Sequence, residues 1–136
     1  ARPDGGGTGR RGAGGGAPEG GGAARAAARR NVAHILDELR AAAGPAADIA
    51  IMTYYNPYGG DPAVEGGEAY WVARLNAAIT EEAARRGVAV ADAYGPFADG
   101  RFYTHTFILF GDIHANARGH RLIADVFAEA LGYPDP

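Results

Sequence analysis

Ile49-Ala50-Ile51-Met52-Thr53 is a short, almost unbroken apolar run of the kind that a strand buried on both faces of a parallel sheet presents. Downstream, Val72, Leu75, Ile79 and Ala83 recur at helical spacing until Arg85-Arg86-Gly87, and Val88-Ala89-Val90-Ala91 then repeats the strand signature. Strand, helix and strand in that order predict a right-handed crossover and a parallel pair, the kernel of a layered α/β domain. Upstream, Val32, Ile35, Leu36, Leu39 and Ala43 form the stripe of an amphipathic helix, with Asn31 as its expected N-cap and Gly44-Pro45 as its end. Asp92 falls just past a strand's carboxyl end, and Ala93 to Ile113 then runs without clear periodicity, a long loop of the kind that usually carries function. Asn116 is the expected cap of a last helix whose buried stripe is Leu122, Ile123, Val126, Phe127, Ala130 and Leu131, stopped by Gly132 and Pro134.

The 136 residues contain no Cys, no Ser and no Lys. Disulfides, thiolate ligands, serine nucleophiles and Schiff-base or phosphate-loop lysines are therefore excluded within them. No apolar run approaches the roughly 20 residues of a membrane helix. The composition divides at Arg30: the first 30 residues hold 11 of the 22 glycines, carry a net charge of +4 and include no large apolar residue, whereas the remainder carries −7. Residues 1–30 are expected to be a low-complexity, disordered leader and 31–136 the folded part, because Gly, Ala, Arg and Pro cannot bury enough surface to offset chain entropy. Three origins for the leader stand open: an arginine arm for nucleic acid, a flexible linker, or a GC-rich gene read in a wrong frame or from a wrong start. The first lacks the interleaved aromatics that stack on bases, so no nucleic-acid partner is assigned. The leader also lacks the apolar stretch of a signal peptide.

Two parallel strands with three helices leave strand edges and sheet faces uncovered. The sequence from Asn31 onward is accordingly expected to be the carboxyl-terminal portion of a larger α/β domain, or one whose open edge is covered by a partner chain.

The chemistry-bearing residues gather in Gly111-Asp112-Ile113-His114-Ala115-Asn116, where an acid and an imidazole meet at a loop-to-helix junction. Two readings stand at this point. Asp112 orients His114 so that its other nitrogen faces a nucleophile hydroxyl; or His114 only hydrogen-bonds the loop while Asp112 favours the helix N-terminus electrostatically. His105, Asp112, His114 and His120 also suit zinc by type, but no compact ligand pair supports a metal, and none is assigned. Tyr54, Tyr55, Tyr58, Phe97, Phe102, Tyr103 and Phe107 crowd the two loops after the strands, where ligands of open α/β sheets bind. Trp71 is expected in the core, and His34 on a solvated face.

Asp112-Ile113-His114-Ala115-Asn116-Ala117-Arg118-Gly119-His120-Arg121-Leu122-Ile123-Ala124 resembles the last conserved block of the SGNH, or GDSL-type, hydrolases. Met52-Thr53-Tyr54-Tyr55-Asn56-Pro57-Tyr58 is similar to a strand-and-loop segment of secreted bacterial members, and Val88 to Tyr94 to their next strand. The resemblance covers about residues 31–131. It implies a three-layer α/β/α sandwich with a parallel, flavodoxin-like sheet, incomplete here, and hydrolysis of small-molecule or lipid esters by a serine. His114 is then the catalytic base, Asp112 its orienting acid, and Tyr54, Tyr55 and Asn56 substrate-binding, with no cofactor and with export from the cell. The chain departs from the pattern in three places. It has neither the Gly-Asp-Ser nor the Gly-x-Asn-Asp block, Gly111 stands where the family's usual acid precedes the histidine by three, and Ala115 replaces the usual proline. The 136 residues are thus expected to be inactive alone, the alternative being a non-catalytic interaction module derived from the same fold.

Overall fold

The structure is a computed structural model that describes residues 20–98 and 100–133. Its elements run α1 (Gly20–Ala43), β1 (Ala50–Met52), α2 (Glu68–Arg85), β2 (Ala89–Ala91), α3 (Tyr94–Phe97), α4 (Phe102–His105), a 3-10 turn (Ile108–Phe110) and α5 (Ala117–Leu131). β1 and β2 pair in parallel with Ala50 opposite Ala89, Ile51 opposite Val90 and Met52 opposite Ala91. The parallel pair and the crossing through α2 are those the sequence predicts. Each strand is trimmed to three residues, yet the ladder continues at both ends, where Ala89 donates to the Ile49 carbonyl at 3.1 Å and Thr53 to the Ala91 carbonyl at 3.0 Å.

Leu36 of α1, Ala83 of α2 and Val88 form a buried cluster against which Val32, Ile49, Ile51 and Val90 pack. Side chains alternate along a strand, so Ile49, Ile51 and Val90 mark one face of the sheet as the seat of the α1–α2 pair. α5, which packs on both strands as well, takes the other, and the result is helix, sheet and helix in three layers. Among the described residues the sheet has two strands, so the outer edge of β1 carries no neighbour.

α1 corrects an expectation. It begins at Gly20 instead of behind Asn31, which lies mid-helix. Propensity does not explain helix in Gly20-Gly21-Gly22-Ala23, since glycine weakens helices; contacts with α2 do. Arg29 bonds Glu82 at 3.2 Å and Glu81 at 2.8 Å, and bare Gly21 lies so close to the Trp71 indole that a Cβ there would meet it at 2.3 Å. Glu82, almost fully buried, also receives Arg85 and Arg86, and Arg86 grips Asp37 of α1 with a two-pronged contact at 2.7 and 3.1 Å. Residues 1–19 of the expected leader lie outside the described residues. Trp71 corrects a second expectation: it remains 39% exposed at this helix seam, edge-on to Tyr70, because the residue it meets is a glycine that covers little of the ring. Ile35 and Leu39 are also exposed, since only the Leu36 side of the α1 stripe has a partner layer.

The long aperiodic segment differs from a plain loop. It holds the single turns α3 and α4, the 3-10 turn and an antiparallel bridge between Thr106 and Ala115. α5 starts and stops where its caps predict, with Asn116 extended ahead of it and Gly132 left-handed after it.

Candidate active site

The carboxyl ends of the strands are locked before any site residue is placed. Thr53 is buried and donates its hydroxyl to Asp92 at 2.8 Å while accepting from the Ala93 and Tyr94 amides at 3.0 and 3.1 Å. Asn76 of α2 grips the next residue, accepting from the Tyr54 amide and donating to its carbonyl, both at 2.7 Å. The one sign of Asn76 in the sequence is that it is polar within the apolar stripe of α2, between Leu75 and Ile79. Buried amides at such positions are retained with their hydrogen bonds made, as here.

Beyond this anchor, the segment from Thr106 to Asn116 folds back on itself. Phe107 donates to the His114 carbonyl at 3.0 Å, and the Asn116 amide to the His105 carbonyl at 3.0 Å. Gly111 adopts φ 79°, a left-handed conformation natural to glycine, and turns the chain back toward α5. On the returning arm, Asp112 and His114 come together. Asp112 Oδ1 accepts from the His114 backbone amide at 2.9 Å, closing an Asx turn, and lies 2.5 Å from the His114 Nδ1.

These contacts decide the imidazole's tautomer. The backbone and side-chain hydrogen bonds from His114 hold the Asp112 carboxyl below the ordinary carboxylate value, so it is an anion that can only accept. Nδ1 must therefore carry the proton and donate. In the neutral ring Nε2 is left as the basic nitrogen, and the His114 side chain is 80% exposed.

Asn116 fixes the far end of the segment. Its Oδ1 accepts from the Arg118 and Gly119 amides at 2.9 and 3.2 Å, and its Nδ2 donates to the Thr104 and Thr106 carbonyls at 2.9 and 3.2 Å. The same side chain caps α5 and ties it to α4.

The three residues read as substrate-binding part ways. Tyr54 is exposed. Asn56 is buried, and its amide is used within its own loop, donating to the Gly59 carbonyl at 2.6 Å and accepting from the Tyr58 amide at 3.0 Å. Tyr55 alone reaches the Asp112–His114 segment, donating its hydroxyl to the Ile113 carbonyl at 3.2 Å. Of the other loop aromatics, Phe97 is fully buried, whereas Tyr103 and Phe107 line an open depression of about 500 Å³ with Leu109, Asn116 and Arg118. No three His, Asp or Glu side chains among the described residues come close enough to share a metal ion. His34 and His120 are exposed.

Comparison with known proteins follows the same outline. A model of the GDSL-like lipase/acylhydrolase family matches residues 14–122, which include α1, both strands and the Asp112–His114 segment. That match begins within the stretch whose composition suggested a leader. Among solved structures, LAE5, an alpha/beta hydrolase enzyme from the metagenome of Lake Arreo, Spain, is similar, with 25% identity and a TM-score of 0.57 over 79% of this chain and 49% of LAE5. The chain thus spans about half the length of that structure. No curated protein matches it.

Proposed function

Since the chain belongs to the GDSL-like lipase/acylhydrolase family, we propose that its Asp112–His114 pair supplies the general base for hydrolysis of carboxylic esters, with a serine from outside these 136 residues as nucleophile. The observation that carries this reading is the 2.5 Å contact between Asp112 and the His114 Nδ1, which leaves Nε2 basic and open to solvent. In the reaction, Nε2 takes the serine proton as the hydroxyl attacks the ester carbonyl. Asp112 stabilises the imidazolium that forms, and Nε2 then returns the proton to the leaving alcohol. Water repeats the sequence on the acyl-enzyme, releasing the acid and regenerating serine. Tyr54 and the depression beside Phe107 and Leu109 are the proposed seats for the ester's apolar parts. Export from the cell belongs to the same reading; no helix among the described residues is long and apolar enough to cross a membrane.

The test is ester turnover by the full product of the locus, assayed with an unactivated aliphatic ester. His114→Ala should lower kcat by about three to six orders of magnitude, as loss of the base does in serine hydrolase triads. Turnover unaffected by His114→Ala would rule the reading out. A second reading, a non-catalytic module docking a partner strand, is favoured by the unpaired edge of β1 and the exposed Ile35 and Leu39. It predicts no turnover by the full product and binding of a partner that is lost when Ala50 or Met52 is replaced by proline.

A further inference from the structure

We propose that Tyr55 is a positioning residue for the Asp112–His114 pair, its hydroxyl pinning the backbone on which that pair stands to the carboxyl end of β1. The proposal deepens the reading of His114 as a base and rests on it. Tyr55 lies three residues past the end of β1, next to Tyr54, whose backbone Asn76 clamps on both sides. Its ring stacks on Phe97 at 4.3 Å and 20°, and Phe97 is fully buried and edge-on to His105 at 5.5 Å. Strand end, α3 and α4 therefore fix where the phenol points.

The phenol meets the residue between the acid and the base, with its Oη 3.2 Å from the Ile113 carbonyl. The Ala115 amide, on the other side of His114, also bears on the phenol oxygen and favours its ionisation, but burial and the nearby Asp112 charge outweigh it and push the phenol upward. Tyr55 consequently stays protonated and able to donate at neutral pH, where Asp112 is ionised. The remaining ties on the segment described above, from Phe107, His105 and the α5 cap, are made within the 104–119 stretch itself. Those ties shape the segment; the Tyr55 bond registers it on the sheet. In a base that acts on a hydroxyl from another element, that registration sets the direction of Nε2, and small errors in such placement are costly to rate.

The test reads the carboxyl ¹³C titration of Asp112 and the exchange rate of the Ala115 amide in the 136-residue chain. Tyr55→Phe keeps the stacked ring and removes only the hydroxyl. We expect the Asp112 midpoint to move up toward the ordinary value of about 3.9 and Ala115 exchange to quicken about tenfold, the worth of one hydrogen bond. Tyr55→Leu, which also removes the stack, should give at least the same changes. If Asp112 and Ala115 behave alike in the wild-type chain and Tyr55→Phe, the proposal is wrong, whether because the bond is idle or because the segment is not held. If the two move in Tyr55→Leu but not in Tyr55→Phe, the ring acts by packing alone and the hydroxyl has no positioning role. Neither readout needs turnover, so failure here and failure of the base in the ester assay are separable.

Discussion

At Gly119 a Cβ would stand 2.1 Å from the His105 carbonyl oxygen and 3.1 Å from the Phe97 ring. The first of these atoms is backbone and cannot rotate aside, so any side chain at 119 forces α5 away from α4. Gly119→Ala should therefore cost roughly 2 to 3 kcal/mol in urea unfolding and loosen the Asn116 cap with it. Gly22 is the internal contrast, because it is helical with nothing within 4 Å of the position a Cβ would take. There, replacement by Ala should raise stability by about 0.5 to 1 kcal/mol through helix propensity alone. A Gly119→Ala chain with an unchanged urea midpoint would show that the α4–α5 approach is looser than these distances describe.

Element ends and element pairs set the next scale. Asn116 spends both halves of its amide, one on the α5 N-terminus and one on the Thr104 and Thr106 carbonyls. Asn116→Ala should thus cost about 2 kcal/mol, the upper end for a cap, and Asn116→Asp, which caps but cannot donate, should fall between. An Asn116→Asp midpoint equal to that of wild type would show that only the cap matters. The α1–α2 pair is acid-sensitive: Arg86 above all holds Glu82 below its ordinary value, and Arg86 likewise lowers Asp37. A carboxyl depressed on folding contributes stability that is complete above its unfolded value, near 4, and is lost as pH falls through the lower folded value. Glu82→Gln should lower Tm at pH 7 and flatten its decline below pH 5; a decline as steep as wild type would place the acid sensitivity elsewhere. Such pairings also explain what the sequence alone conveys. Both strands, α2, the two caps of α5 and the Asp112–His114 pair follow from local patterns a few residues long. The first turns of α1 do not, because their support is Arg29 reaching Glu82 and Gly21 meeting Trp71, contacts that join residues far apart in the chain. Tyr55 is visible in the sequence as an aromatic after a strand, but its bond to Ile113 spans 58 positions, so its partner is not.

For the molecule as a whole, the feature that sets behaviour is apolar surface. Ile35, Leu39, Leu109, Ile113 and, at 86% exposure, Phe110 lie open, and among the described residues β1 has no partner on its outer edge. Isolated monomers seldom leave a strand edge and several large apolar side chains open without covering them. The 136-residue chain should therefore self-associate with rising concentration and bind an apolar-surface dye, and Leu109→Asp with Phe110→Asp should reduce the dye signal. Light scattering that shows one monomeric species across the micromolar range would contradict this. Lastly, the protein's single tryptophan lies in the seam where Gly21 meets α2. Its emission is a built-in optical reporter for the glycine-rich first turns of α1. A red shift that precedes loss of far-ultraviolet ellipticity would time the peeling of that helix end against the collapse of the rest.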